Sequence, residues 1–447
     1  MTLRVTVIGD DLTGTVESAA VFGRYGFRGT VGIGLRPDAR PGPGTVIWVV
    51  DTDTRQRPAA EATERARTAL RAAPAPLLVG KIDSLLRGRL VAHLTALEPD
   101  RYPLVFAPAL PVQRRVVTGG VARSLDDGRP ISAPLAELLA PLPTAVVPEL
   151  DEPELSERIA QTAQQGRVAL CDASDDAALD RVVAASLRLP GIRYAGSAGL
   201  VAALARRLAA TIPEPVEGQG PVRLGTSTSS VRVRRADPSG SVGVRRADPS
   251  GRVGVRGAGL SGTVRVRRAV LFVVGTAAPT LTGQLDALTA AVAGTRVWTR
   301  PGGPAGWPER TVAEVRSHLA GGAPAVLRLP ERQLPVPTDQ TVDADDASLV
   351  AELAAVTEQV LAGIEVPLVL TGGHTARAVL DRLGIATLDL RGEIHHGAVE
   401  LGTGAPGSLP GTGAGRTVVT RPGSFGGPDS LVRILDRLTD PTRQDRR

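Results

Sequence analysis

The 447-residue sequence has very few lysine, cysteine and aromatic residues. Its single cysteine, Cys171, excludes an intrachain disulfide and a zinc site built on several cysteines. Aromatic residues make up only 2% of the chain, so the core must consist mainly of aliphatic side chains. A protein that stacks nucleic-acid bases on aromatic rings is correspondingly disfavoured. Lys81 is the only lysine, against fifty-one arginines.

The sequence also lacks the segments that direct a chain to a membrane. It contains no run of ~18 uncharged apolar residues, so no membrane-spanning helix and no membrane partner are expected. Residues 1–8 lack the long apolar stretch and cleavage site of a signal peptide. We therefore expect a cytoplasmic protein, and a lone thiol agrees with a reducing compartment.

The net charge of +6 comes from one segment rather than from a binding face. Residues 230–268 hold ten arginines and two aspartates, which leaves the remainder close to neutral and argues against a nucleic-acid partner. The segment repeats every eleven residues, for example Ser-Val-Gly-Val-Arg-Arg-Ala-Asp-Pro-Ser-Gly at 241–251. It lacks the bulky apolar residues of a solenoid core. We expect a solvated, disordered low-complexity insertion at 223–268, with an RNA- or phosphate-binding tail as the alternative.

On either side of this insertion, short apolar runs alternate with helical patterns. The predicted strands are Leu3–Ile8, Thr45–Val50, Leu77–Val79, Leu104–Ala107, Val168–Cys171, Val270–Val274, Arg296–Thr299, Ala325–Leu329, Pro367–Leu370 and Thr417–Thr420. The predicted helices are Val16–Tyr25, Ala59–Ala73, Arg89–Leu97, Pro153–Gln165, Asp175–Arg188, Thr280–Val292, Pro308–Leu319, Ala347–Leu361 and Ala376–Leu383. This alternation predicts an α/β fold with two domains, 1–222 and 269–440, each a largely parallel sheet flanked by helices, with a cleft between them.

Polar residues follow three predicted strands of the first half, where ligands of parallel sheets bind. Asp10 and Asp11 follow the first strand, and such carboxylates can bind substrate hydroxyls or act as a general base. An aspartate there is also a common helix N-cap. Arg55 follows the second strand and either belongs to a polar loop or binds a substrate carboxylate with its planar fork.

The third strand leads into a segment that carries the only lysine. Lys81, Ile82, Asp83 and Ser84 are followed by Arg87, so both charges and a hydroxyl occur within about one turn. Lysine survives here in a chain that otherwise uses arginine, which indicates a need for a compact ammonium group. The mixture suits an anionic, polyhydroxylated ligand.

The second half carries three glycine-rich turns after predicted strands. They are Gly275-Thr276-Ala-Ala-Pro-Thr280, Thr371-Gly372-Gly373-His374-Thr375 and Arg421-Pro-Gly423-Ser-Phe-Gly-Gly427. Glycines at such turns let a phosphate approach backbone N–H groups at a helix N-terminus. Together they favour a nucleotide-phosphate site, although no Walker A motif is present. The few histidines do not predict a transition-metal site, whereas Mg²⁺ carried with ATP needs few protein ligands.

With these motifs in order, the sequence resembles the four-carbon acid sugar kinase family, which includes 3-oxo-tetronate and threonate kinases. The resemblance covers both halves and stops at the repeat. The matching motifs are Asp10-Asp-Leu-Thr-Gly14, Lys81-Ile-Asp-Ser84 with Arg87-Gly88, Ala107-Pro-Ala109 with Pro111, Gly196-Ser-Ala-Gly-Leu200, Gly372-Gly373 with Thr375-Ala376, Gly392-Glu-Ile394 and Pro422-Gly423 with Phe425-Gly426.

The resemblance implies an ATP-dependent kinase with an N-terminal sugar-acid domain, a C-terminal nucleotide domain and a site between them. By it, Asp10, Arg55 and Lys81 through Ser84 hold the sugar acid, while Thr276, Gly372 through Thr375 and Gly423 hold ATP. Asp10, Asp11 and Lys81 are the catalytic candidates. The chain departs from the family at four places: His374 stands for Asp, Gly275-Thr-Ala-Ala278 for Gly-Ser-x-Ser, Arg421 for Lys and Leu85 for Thr.

Two other functions stay open at this stage. One is a catalytically weak sugar-acid-binding or regulatory protein on the same scaffold, which the departures in the second half suggest. The other is a kinase for a different short acid or polyol. A homo-oligomer is compatible with the sequence.

Overall fold

The computed structural model describes most of both halves of the chain. The described residues are 3–42, 44–211, 264–265, 269–275, 278, 280–303, 306–330, 344–404, 415–423 and 425–440. The predicted insertion at 223–268 lies outside these residues except for positions 264–265, and so does the predicted ATP contact Thr276.

The first half contains ten strands and seven helices within the described residues. Its strands are β1 (Val5–Gly9), β2 (Gly29–Ile33), β3 (Ile47–Asp51), β4 (Leu77–Lys81), β5 (Leu104–Ala107), β6 (Arg115–Thr118), β7 (Val121–Ser124), β8 (Thr144–Val147), β9 (Val168–Cys171) and β10 (Arg193–Gly196). Its helices are α1 (Leu12–Gly23), α2 (Ala59–Ala72), α3 (Leu90–Ala96), α4 (Leu135–Leu138), α5 (Glu152–Gln164), α6 (Asp176–Ser186) and α7 (Ala198–Ala210).

The second half continues the same alternation. Its strands are β11 (Val264–Arg265), β12 (Leu271–Val274), β13 (Arg296–Thr299), β14 (Ala325–Arg328), β15 (Ile364–Glu365), β16 (Leu368–Thr371), β17 (Thr387–His395), β18 (Ala398–Gly402) and β19 (Thr417–Arg421). Its helices are α8 (Thr280–Ala291), α9 (Arg310–Ala320), α10 (Ala344–Leu361), α11 (Gly373–Arg382) and α12 (Ser430–Thr439).

Fifteen of these strands form one continuous sheet in the order β13-β14-β12-β16-β19-β18-β17-β2-β3-β1-β4-β10-β5-β9-β8. The pairs within each half are parallel except around the hairpin β17–β18, whose three pairings are antiparallel. The two halves join where Thr387–Asp389 of β17 pair with Thr30–Gly32 of β2. Because β17 and β19 run antiparallel to β2, the parallel strands of the two halves run in opposite directions across this seam.

The central strands are apolar along their whole length because both faces of the sheet are covered. All five residues of β1, β2 and β3 are buried. Parallel strands with helices on both faces have such continuous apolar sequences. In the second half, Leu271 and Val273 belong to the main core, whereas Phe272 and Val274 face a second core beneath α8 and α12. The alternation follows from the two-residue period of a strand.

Capping residues define where several helices start. Asp151, Asp175 and Ser197 precede α5, α6 and α7, and each side chain accepts a hydrogen bond from a backbone N–H of the first turn. Such caps satisfy donors that have no partner within the helix and contribute about 1 kcal/mol each. Among the described helices, none is both long enough and apolar enough to cross a membrane.

The predicted α/β architecture is confirmed, and all ten predicted strands occur within two residues of their predicted bounds. Three helices begin three or four residues earlier than predicted: α1 starts at Leu12 rather than Val16, α10 at Ala344 rather than Ala347, and α11 at Gly373 rather than Ala376. The glycine-containing motifs before α1 and α11 therefore extend into the first turn of each helix. The apolar runs do not predict the seam strands β2, β17 and β18, and they do not predict β6, β7, β8, β10, β11 and β15. The helices α4, α7 and α12 were not predicted either.

A glycine pair on β2 tests the packing of the seam strand. A Cβ atom on Gly32 would lie 2.5 Å from Cζ2 of the buried Trp48 ring, whereas one on Gly29 would have no neighbour closer than 3.7 Å. Gly32→Ala should therefore lower the free energy of unfolding by about 1–3 kcal/mol through overpacking. The matched variant Gly29→Ala should change it by less than about 1 kcal/mol. Thermal and urea unfolding of both variants measure this, and equal effects would contradict the packing described.

Candidate active site

The carboxylate of Asp10, the residue directly after β1, forms a bidentate ion pair with one arginine. Arg55 Nε donates to Asp10 Oδ2 at 2.9 Å, and Arg55 Nη2 donates to Asp10 Oδ1 at 2.8 Å. The backbone N–H of Arg55 also donates to the Asp10 carbonyl at 3.1 Å. Asp10 is buried, so this bidentate pair is well shielded from water. The pair brings the end of β1 and the loop after β3 together.

Asp11 caps α1 and shares the same arginine. Its Oδ1 accepts from the N–H of Gly14 at 3.0 Å and from Arg55 Nη2 at 2.9 Å. No hydrogen bond to Oδ2 occurs within the described residues. Burial raises the pKa of the Asp11 carboxyl above its ordinary value of 3.8, against the opposing charge of Arg55. The N-cap interpretation of this residue is therefore confirmed, and its role as a general base or substrate ligand stays a prediction.

Lys81 ends β4 and lies beside the first turn of α1. Its Nζ lies 3.3 Å from Oε2 of Glu17, and only 6% of its side chain is exposed. A Cβ atom on Gly14 would lie 3.0 Å from Nζ, so the ammonium group of Lys81 fits here because residue 14 has no side chain. β1 and β4 pair in register from Val5 with Leu77 to Gly9 with Lys81, which sets Lys81 next to the acidic pair.

The segment after β4 folds back over the Asp10–Arg55 pair. Ile82 is buried, Asp83 is paired with Arg87, and the hydroxyl of Ser84 accepts a hydrogen bond from Arg115 Nη1. The φ angle of Gly88 is 97°, and a Cβ atom there would lie 2.7 Å from Asp10 Oδ2. Only glycine fits such a position without strain.

The second half reaches this cluster through the first turn of α11. A Cβ atom on Gly373 would lie 2.8 Å from Thr13 Oγ1 and 3.5 Å from Asp11 Oδ2. Gly372 precedes the helix with a φ angle of 100°, and no side chain caps the helix N-terminus. Unpaired N–H groups of this turn therefore lie near the acidic pair of the first half.

A buried ion pair links the halves next to this contact. Arg377 Nη1 donates to Asp51 Oδ2 at 2.6 Å, and Arg377 Nε donates to Asp381 Oδ2 at 2.7 Å. The second oxygen of Asp51 accepts from the N–H of Asp53 at 2.9 Å. Burial raises the pKa of Asp51 to about 7, although the charge of Arg377 acts in the opposite direction.

These groups surround a cavity of about 230 Å³ that has walls from both halves. Its lining residues are Asp10, Asp11, Leu12, Asp51, Asp53, Arg55, Gln56, Arg57, Gly373, His374 and Arg377. Lys81 contacts α1 beside the cavity rather than lining it. The volume suits a molecule of a few carbon atoms, and the lining offers acceptors, arginines and the turn at the start of α11.

The remaining glycine turns lie at the ends of neighbouring strands in the second half. A Cβ atom on Gly275 would lie 1.9 Å from Thr375 Oγ1, which leaves no room for a side chain between β12 and α11. Gly372 N–H donates to the Arg421 carbonyl at 3.0 Å, so the turn after β16 is tied to the end of β19, two residues before Gly423. The N–H groups at the start of α11 other than that of Gly372 fit an anion such as a phosphate. No group of three His, Cys, Asp or Glu residues among the described residues is arranged to hold a metal ion.

The structure brings together Asp10, Asp11, Arg55, Lys81, Gly372, Gly373 and His374 from the predicted site. Arg87 is half-exposed and paired with Asp83, and Thr375 is buried against Gly275. Asp51 and Arg377 were missed by the sequence analysis. Asp51 directly follows the predicted strand Thr45–Val50 and could have been found by its position, whereas Arg377 is one turn inside a helix and carries no such signal.

The raised pKa of Asp51 predicts a pH-dependent stability. Because its folded-state pKa of about 7 lies above the ordinary value of 3.8, its contribution is present below about pH 4 and is lost as the pH rises to about 7. We subtract the melting temperature of Asp51→Asn from that of the wild type at each pH. This difference should fall between about pH 4 and pH 7 and then level off. Melting curves of both proteins across this range measure it. A difference that is constant, or that rises with pH, would contradict the burial of this carboxyl.

Comparison with known proteins assigns a description to each half. A family model described as a sugar-binding N-terminal domain matches residues 5–137, and one described as a nucleotide-binding C-terminal domain matches residues 271–431. A D-threonate kinase of Bordetella bronchiseptica is 31% identical over 468 residues, which cover 98% of each chain. A D-threonate kinase of Cupriavidus necator is 27% identical and covers 97% of this chain and 98% of its own.

Solved structures share the fold over nearly the whole chain. A protein of Salmonella typhimurium LT2 superposes with a TM-score of 0.66 at 19% identity, covering 98% of this chain and all of its own. A Haemophilus influenzae protein gives a TM-score of 0.63 at 19% identity, with 97% of this chain covered. At these identities the likeness supports the fold alone.

Proposed function

Because the chain belongs to the four-carbon acid sugar kinase family, we propose that it transfers the γ-phosphate of ATP to a hydroxyl of a four-carbon sugar acid. The acid would be of the threonate, erythronate or 3-oxo-tetronate type. The observation that carries the proposal is the position of the Asp11 carboxylate opposite the uncapped turn at Gly372–Gly373. A substrate hydroxyl bound at Asp11 would therefore lie next to a phosphate bound at the Gly372–Gly373 turn.

The first half, residues 1–222, would bind the sugar acid. Both oxygens of Asp10 are bound by Arg55, so Asp10 would mainly hold this arginine in place. Arg55 Nη1 takes no part in those bonds and would be available to the substrate carboxylate. Lys81 would add positive charge beside α1. Asp83 and Ser84 would bind hydroxyls of the sugar acid at the edge of its binding site.

Asp11 is the better candidate for the base that takes the hydroxyl proton. Its Oδ2 has no hydrogen-bond partner among the described residues, unlike either oxygen of Asp10. Its raised pKa also makes it a stronger base than an ordinary aspartate. Phosphoryl transfer depends mainly on positioning and charge neutralisation, so one well-placed carboxylate is sufficient for this role.

The second half, residues 269–440, would bind the nucleotide. The N–H groups of Gly373 through Thr375 and of Gly423 would contact the phosphates, with Thr276 in the turn after β12. The N–H of Gly372 donates to the Arg421 carbonyl oxygen, so Gly372 would contribute by shaping this turn. His374 lines the cavity in place of the usual carboxylate of the family. Mg²⁺ bound with ATP would supply charge neutralisation for the phosphates.

Removing the base while keeping its shape tests the assignment. Asp11→Asn should lower kcat by about 10²–10⁴-fold, because the amide cannot accept the proton. Asp53→Asn is the matched control, since Asp53 lines the same cavity with a φ angle of 51° that asparagine tolerates. It should change kcat by less than about threefold. A coupled assay of ADP release measures both variants, and near-normal turnover by Asp11→Asn would exclude it as the base.

The same assay with a panel of short sugar acids and polyols tests the function itself. Turnover of one four-carbon acid above the others would support the proposed class. Calorimetric binding of a sugar acid without ADP release or ATP binding would instead favour the alternative of a sugar-acid-binding or regulatory protein, which the substitution at His374 motivates.

A further inference from the structure

Arg421, at the end of β19, is a buried arginine that has no counter-ion among the residues the structure describes. Only 1% of the residue is exposed. Its Nη2 donates to the carbonyl oxygen of Phe425, while Nε and Nη1 have no hydrogen-bond partner within the described part of the chain. Burial lowers the pKa of Arg421 to about 10, and no carboxylate offsets the effect. Burying a full charge in this way costs free energy, so its presence calls for an explanation.

The arginines of the acidic cavity show the contrast. Arg55, Arg57 and Arg377 each pair with at least one carboxylate within 3 Å. Arg421 has no such partner among the described residues. Within the described part of the chain, the end of β19 therefore carries a positive charge that no carboxylate compensates.

A second unpaired donor lies beside this arginine. Thr371 ends β16 and is the register partner of Arg421 in the parallel pair, so both side chains lie on the same face of the sheet. Thr371 Oγ1 is buried and has no hydrogen-bond partner in the described ranges. On the same face, Gln284 Nε2 donates to the carbonyl oxygens of Phe425 and Gly426, while its amide oxygen has no partner among the described residues.

The residues that follow these two strand ends belong to the proposed phosphate contacts. Thr371 is followed by Gly372 at the uncapped start of α11, and Arg421 is followed by Pro422 and Gly423. The N–H of Gly372 donates to the carbonyl oxygen of Arg421, so the two turns are held together. In a site shielded from water, a fixed positive charge acts more strongly on an anion than it does in solvent.

We propose that Arg421 is a positioning residue for the nucleotide: it fixes the turn at 422–427 through Phe425 and supplies a buried positive charge that the nucleotide phosphates neutralise. Thr371 adds a hydroxyl donor at the same strand ends. The proposal rests on the proposed function, because it assumes that phosphates bind at these turns. It differs from a purely structural role, in which Arg421 would serve only to hold the Phe425 carbonyl.

The dependence of binding on ligand charge separates the two roles. Arg421→Met should weaken ADP binding by at least about tenfold, because a buried positive charge is lost. Binding of adenosine, which has no phosphate, should change by less than about threefold. The melting temperature of the free variant should equal or exceed that of the wild type, because a buried unpaired charge has been removed. Arg421→Lys keeps the charge and should retain ADP affinity within about fivefold.

Calorimetry with ADP and adenosine, and melting curves of the free proteins, provide the readouts. Arg382→Met, at the far end of α11, is a control that should leave both affinities unchanged. Equal weakening of ADP and adenosine by Arg421→Met, or a lower melting temperature with unchanged affinity for ADP, would overturn the proposal. If Arg421→Met does not fold, the nearly isosteric Thr371→Val decides: selective weakening of ADP supports the proposal, and unchanged affinity for ADP overturns it.

The same data distinguish this proposal from the proposed function. Wild-type protein that binds no ADP and releases none would contradict both. Normal ADP release by the wild type, with no loss of ADP affinity in Arg421→Met, would contradict only the role of Arg421.

Discussion

The candidate site depends on a close contact between the first turns of two helices from different halves of the chain. α1 begins after β1, α11 begins after β16, and Gly373 meets Thr13 and Asp11 where a side chain would not fit. The contact places a capping carboxylate of one helix near the uncapped N-terminus of the other. The positive end of α11 then faces negative charge, which is favourable in itself and suits a site for anions and hydroxyls.

Charge on the two sides of this contact is arranged differently. In the first half, Asp10 and Asp11 are bound by Arg55, and Asp51 is bound across the seam by Arg377. These pairs fix the cavity wall because removing one partner would leave the other charge buried. In the second half, the ends of β16 and β19 offer N–H groups, the Thr371 hydroxyl and Arg421, which has no carboxylate partner among the described residues. A sugar acid would thus bind to a surface of paired charges, and a nucleotide would bind to a surface of hydrogen-bond donors and positive charge.

Sequence patterns predicted most of the strands and the acidic motif because these signals are local. The continuous apolar runs of β1 and β3 identify buried parallel strands, and Asp10, Asp11 and Lys81 follow directly from strand ends. β2 was missed because Gly29 and Gly32 interrupt its apolar pattern. The pairing of β2 with β17 joins Thr30 to Asp389, a separation that no periodicity encodes. For the same reason Arg377 was not predicted, since its role exists only when α11 lies against the end of β3.

The contact between α1 and α11 can be tested directly with a disulfide. A Cβ atom on Gly373 would lie 3.8 Å from Cβ of Thr13, which matches the spacing in disulfides. The double variant Thr13→Cys, Gly373→Cys should form this bond on mild oxidation and leave only the buried native thiol of Cys171 after unfolding. Mass spectrometry of peptides and thiol counting measure the outcome. Two engineered thiols that stay free under oxidation in the folded protein would contradict the arrangement on which the site is built.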